Sequence, residues 1–120
     1  MPAGLPELVR LAAERAERAG FAMSCDPGAG GLLAVLAAAV PANGRVLELG
    51  TGTGVGTAWI VHGLRGRDDV EVVTVEIDAA LRPDLRRCPG REVGRARRDG
   101  CRPAARRIFS TETILRVTGA

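Results

Sequence analysis

The stretch Val46-Leu47-Glu48-Leu49-Gly50-Thr51-Gly52-Thr53-Gly54-Val55-Gly56 leaves this chain few ways to fold. A short apolar run carries an acid near its end, four glycines follow at every second position, and a helix-like segment (57–64) comes next. Glycine adopts left-handed backbone that other residues resist, so alternating glycines spell a tight loop. The whole is the pattern of a strand, a loop and a helix N-terminus, where free backbone N–H groups face a ligand.

The flanking sequence extends the pattern. Leu5, Leu8, Val9, Ala12, Ala16 and Ala19 fall on one side of a predicted helix over 5–19. Glu14 and Arg18 stand at i,i+4 spacing on the polar side, and Gly20 closes the helix. Asp26 before Pro27 fits an N-cap with Pro at the first helical position. Leu32 to Val40 then read as an almost wholly apolar helix, which predicts burial. Pro41-Ala42-Asn43-Gly44 is a turn before a strand at 45–49. After the loop a helix is predicted over 55–64, and Gly66-Arg67-Asp68-Asp69 is a polar turn. Val70 to Glu76 is β-branched and ends on acids, so it is a second strand. Strand, helix and strand in about thirty residues make a βαβ unit, which demands parallel strands.

Charge divides the chain. Residues 1–81 hold six Arg against ten acids, whereas 82–120 hold eleven Arg against four, and no Lys occurs anywhere. From Arg82 to Arg107 there are ten Arg interrupted by Pro83, Pro89 and Pro103, with neither helical nor strand periodicity. Only Thr111–Val117 has the look of a short strand, and Asp78 to Leu81 can begin a helix before Pro83 intervenes. The expected organisation is therefore residues 1–81 as an α/β unit and 82–120 as an irregular Arg/Pro-rich segment. Cys25, Cys88 and Cys101 form no CxxC pair, so neither a disulfide framework nor a zinc site is indicated. His62, the only histidine, reads as a packing or surface residue. No signal peptide is evident at the N-terminus, and 30–40 is too short to span a membrane, so the expected location is cytoplasmic.

Three loop chemistries compete for the glycines. A P-loop needs GxxxxGK[ST], and a chain without Lys cannot supply it. The dinucleotide fingerprint GxGxxG requires a third glycine where Val55 or Thr57 stands, which leaves only a loose variant of that site. The arrangement from Glu48 to Gly54 is E-x-G-x-G-x-G. It resembles the first motif of class I S-adenosylmethionine-dependent methyltransferases. An acid at the strand end can meet an ammonium group, and a sulfonium cofactor needs no phosphate-binding Lys. Glu76, at the end of strand two, stands where an acid accepts the ribose hydroxyls of an adenosine.

Val46 to Ile60, with Val73-Thr74-Val75-Glu76-Ile77-Asp78 after it, looks like small O-methyltransferases of the catechol and caffeoyl-CoA type. Met23-Ser24 and Gly30-Gly31-Leu32-Leu33 are similar to the segment before that family's first motif. The resemblance covers residues 21–81. It implies a partial Rossmann-like sheet, S-adenosylmethionine as cofactor and a small-molecule methyl acceptor. By the same resemblance Glu48, Gly50, Thr51 and Gly52 contact the cofactor and Glu76 the ribose, while a serine hydroxyl common in the family falls at Gly56 and is missing. No catalytic base and no metal ligand can be assigned. Asp84, Asp99 and Glu112 stand in no recognisable setting, although the family's next strands belong where the Arg/Pro segment lies.

The expectation for 82–120 is therefore a truncated or out-of-frame remnant of a GC-rich gene, and self-association of an incomplete sheet follows from it. A competing reading makes the chain a non-enzymatic nucleotide- or nucleic-acid-binding module that uses its arginines on phosphates. The tail has no aromatic interleaving or recognisable module, so nucleic acid is the less favoured partner. A nicotinamide-binding fragment is the third reading.

Overall fold

A computed structural model describes residues 4–81 and 113–118 of the chain. Helix α1 spans Glu7–Ala19, α2 Pro27–Ala38 and α3 Val55–Gly63. The strands are β1 (Arg45–Leu49), β2 (Glu71–Glu76) and β3 (Thr113–Thr118), and a 3-10 turn covers Ala79–Leu81. The order across the sheet is β1-β2-β3. β1 and β2 are parallel, with Val46 opposite Val72 and Glu48 opposite Thr74. β3 runs antiparallel to β2, with Glu76 opposite Thr113. The protein is thus mixed α/β, and the βαβ unit expected from the sequence is present.

Local chemistry explains where the elements begin and end. Asp26 caps α2, its Oδ1 accepting from Gly28 N at 2.9 Å and Ala29 N at 3.1 Å, with Pro27 at the first helical position. Gly20 ends α1 in the left-handed region at φ 63°. On α1, Val9, Ala12 and Ala16 are buried as the periodicity requires, whereas Ala19 is exposed. Glu14 is ion-paired with Arg10, one turn before it.

α3 packs between α1 and α2, and α2 and α3 meet one face of the sheet. Val9 and Ala12 of α1 meet Val55, Ala58 and Trp59 of α3. Ile60 and Leu64 join Ala37 of α2 with Val70 and Val72 at the sheet. α2 approaches α3 closely because small residues stand at the contact. A Cβ at Gly30 would collide with the Trp59 ring, and one at Gly63 with the backbone of Ala34.

One expectation needs correction. Burial of the apolar helix over 32–40 does not hold along its length, since Leu32, Val35 and Leu36 are exposed and only Gly30 and Ala37 of α2 are buried. The physical reason is that α2 is held by its small-residue side, which turns its larger residues outward. The short strand expected at Thr111–Val117 is present as β3 over 113–118. Residues 82–112, and the expectations for Asp84, Cys88, Asp99, Cys101 and Glu112, lie outside the described residues. Among the described residues no helix is long and apolar enough to cross a membrane.

The far end of the sheet from the glycine loop is clamped by Arg67. Its guanidinium donates to the carbonyl of Val40, to that of Pro41 at 3.2 Å and to Asp69 Oδ2 at 2.8 Å. Asp69 Oδ2 in turn accepts from Asn43 N at 2.9 Å, which fixes the left-handed Asn43 (φ 58°). Arg67 and the Asn43 N–H hold the Asp69 carboxyl well below the usual range. The polar turn thus joins the entrances of β1 and β2.

The α2–α3 contact makes a paired prediction. Gly63→Ala should lower unfolding free energy by about 1–3 kcal/mol through overpacking against Ala34. Gly31→Ala, on the same α2 but with open space around it, should raise it by about 0.5–1 kcal/mol. Urea unfolding of the two variants measures both, and equal effects would contradict the packing assigned here.

Candidate functional site

The loop between β1 and α3 is held in place mostly by backbone bonds. Gly50 N and Thr51 N both donate to Val75 O, at 2.8 and 3.1 Å, and Gly54 N closes a turn onto Thr51 O at 2.9 Å. Gly50, Gly52 and Gly54 have φ of 89°, 54° and 92°, which side chains resist, so the alternation of glycines follows from the path of the backbone. Gly52 is doubly constrained, since a Cβ there would lie 2.7 Å from the Phe21 ring. Arg15 reaches from α1 to Thr53 O at 3.1 Å and ties the first helix to the loop.

Glu76 sits beneath the loop. Its Oε2 accepts from Gly52 N at 2.6 Å and its Oε1 from Asp78 N at 2.8 Å. The residue is 6% exposed. Each oxygen keeps a second lone pair. In this geometry the acid anticipated at the ribose also fastens the glycine loop to the end of β2.

Glu48 lies at the first turn of α3. Its Oε2 accepts from Thr57 Oγ1 of that turn and from Thr74 Oγ1 of β2, the latter at 2.7 Å. Thr74 is in turn 2.6 Å from Thr51 Oγ1. Gly56 is required beside it, because a Cβ there would collide with Glu48 Oε1. Burial pushes the Glu48 carboxyl up, the two threonine hydroxyls oppose this, and the charge of Glu76 adds to the rise.

These groups meet at one cavity of about 280 Å³. Its wall contains Glu48, Gly50, Thr51 and Gly52 together with Phe21, Asp26 and Leu33. Four of the five residues singled out from the sequence are therefore brought together, while Glu76 supports the loop from below. Among the described residues the wall carries two carboxylates, Asp26 and Glu48, and no Arg or His. Ser24 and Thr53, both in the wall, have buried hydroxyls with no hydrogen-bond partner among the described residues. Burial and the nearby charges of Asp26 and Glu48 push the Cys25 thiol up, which disfavours its thiolate. Among the described residues no group of His, Cys, Asp and Glu could hold a metal ion. His62 is remote from this cavity's wall, pairing with Arg65 at 2.8 Å and meeting Trp59 edge-on.

Sequence reasoning missed Thr57, Thr74 and Arg15. A usable signal existed for Thr74, which stands two residues before Glu76 and so shares its face of the strand. Nothing in the spacing marks Arg15, whose partner is a carbonyl far along the chain. Comparison of the chain with family models, curated proteins and solved structures finds no match to any of them.

The raised Glu48 carboxyl has a consequence for stability. An acid whose folded value lies above its unfolded value binds the proton more tightly when folded, so stability falls as pH rises between the two. Starting from the ordinary value of 4.5, denaturant unfolding should show Glu48 removing stability as pH increases. Glu48→Gln should flatten that slope, and an unchanged slope would contradict the burial of the charge.

Proposed function

We propose that residues 21–81 form the cofactor-binding half of an S-adenosylmethionine-dependent methyltransferase, with O-methyl transfer to a small molecule as the reaction. The observation that carries this reading is the place of Glu48. A helix N-terminus behind a glycine loop ordinarily favours a phosphate. Here a carboxylate already occupies the first turn of α3, and among the described residues the cavity wall contributes a second acid and no cation. Such a wall repels a pyrophosphate and attracts a positive group.

The residues present fit a ligand that carries an ammonium group. Glu48 can accept from an ammonium by a charge-assisted hydrogen bond. The loop backbone at Gly50, Thr51 and Gly52 offers close approach without side-chain obstruction. A cavity of about 280 Å³ lies just below the usual range of small-molecule sites, so it would take part of such a cofactor. When bound, S-adenosylmethionine supplies an electrophilic methyl group to an acceptor oxygen. The chain's own residues would bind and orient it: Glu48 would neutralise the ammonium, the loop backbone at Gly50, Thr51 and Gly52 would lie against it, and Glu76 has lone pairs left for ribose hydroxyls. Orientation of this kind is a large part of what a methyl transfer requires.

Calorimetric titration with S-adenosylhomocysteine tests the site. The intact chain should bind it in preference to NAD, and Glu48→Gln should weaken binding about 10- to 100-fold, as expected for loss of a charged hydrogen bond. Absence of binding, or affinity indifferent to Glu48→Gln, would overturn the assignment.

A further inference from the structure

The hydroxyls around Glu48 run in one direction. Each threonine has a single O–H to donate. Thr74 Oγ1 directs its proton to Glu48 Oε2, so in the contact between Thr51 and Thr74 the donor is Thr51. Thr57 Oγ1 donates to the same Oε2 from the other side. That oxygen is fixed between β2 and α3, whereas Oε1 has no hydrogen-bond partner among the described residues and lies against Gly56, itself part of the cavity wall. We propose that Thr57 and Thr74 are positioning residues, pinning Glu48 Oε2 so that Oε1 is presented to the cavity as the acceptor for the ligand's ammonium. The proposal rests on the reading of this cavity as a cation site.

The arrangement couples uptake of the cation to the charge on Glu48. Among the described residues, Glu76 of β2, and Asp26 and Cys25 from the entrance of α2, are the titratable groups around it, and the first turn of α3 contributes none. All three disfavour a second negative charge when ionised, so the two threonine hydroxyls and the incoming ammonium are what stabilise the carboxylate. Binding should therefore strengthen as pH rises through the titration of Glu48 in the free protein. Removing a hydroxyl shifts that titration, and with it the binding profile, to higher pH. A threonine that merely packs would alter affinity equally at every pH and leave the midpoint in place.

The test uses the full chain. S-adenosylhomocysteine binding is measured by calorimetry across pH, below the titration of the ligand's amine, and the side-chain carboxyl carbon of Glu48 is followed by NMR without ligand. Thr74→Val should move both midpoints up by about one pH unit, the size of one hydrogen bond to a charged group, and Thr74→Ser should restore them. Should Thr74→Val fail to fold, Thr57→Val carries the same expectation from the other side of the oxygen. Binding by the wild-type chain with unmoved midpoints in the valine variant overturns the positioning role alone. No binding by the wild-type chain at any pH overturns the cation-site reading and this proposal with it.

Discussion

The structure turns on the fastening of a glycine loop to the end of β2. Val75 O takes the N–H groups of Gly50 and Thr51, and Glu76 takes that of Gly52. Three successive backbone donors are thereby fixed by two neighbouring residues of one strand. Parallel pairing of β1 and β2 makes this possible, since it places the exit of β1 beside the exit of β2. Once the loop is held, α3 must begin where Glu48 can reach its first turn, and the cavity follows. The Arg67 and Asp69 clamp performs the corresponding task at the other end, setting the entrances of the same two strands.

Much of this was legible in the residues. β1 begins and ends where predicted, α3 and β2 differ by a single residue at one end, and the Asp26-Pro27 cap is formed as read. Those features are local: a cap needs neighbours two or three residues away, and a strand announces itself by β-branching. The four residues gathered at the cavity were legible because a loop motif carries its own geometry. The hydroxyl contacts of Glu48 were less so: Thr74 shares a strand face with Glu76, but threonine in a strand is explained equally well by propensity, and nothing in the loop motif marks Thr57 of α3. Exposure of α2 was misjudged for a different reason. Apolar content predicts burial only if enough surface exists to cover it, and that depends on the size of the sheet rather than on the helix itself.

The site has an unusual electrostatic character for a glycine loop at a helix start. Glu48 at the exit of β1 and Asp26 at the cap of α2, with no cation in the wall among the described residues, make a negative cavity, and Glu76 lies beneath its loop. Such a cavity destabilises the free protein modestly, because Glu48 is buried and faces Glu76. A ligand that brings a positive charge relieves that cost. The exposed leucines of β1, Leu47 and Leu49, lie on the opposite side of the sheet from the helices and take no part in the site.

The central claim is that this cavity selects a cation-bearing nucleoside over a dinucleotide. NMR mapping of the backbone amides during parallel titrations with S-adenosylhomocysteine and NAD addresses it most directly. The account predicts that S-adenosylhomocysteine shifts the amides of Gly50, Thr51, Gly52 and Gly56 together with the Glu48 carboxyl, at concentrations where NAD leaves them unmoved. Saturating shifts of the same amides by NAD at lower concentration would contradict it.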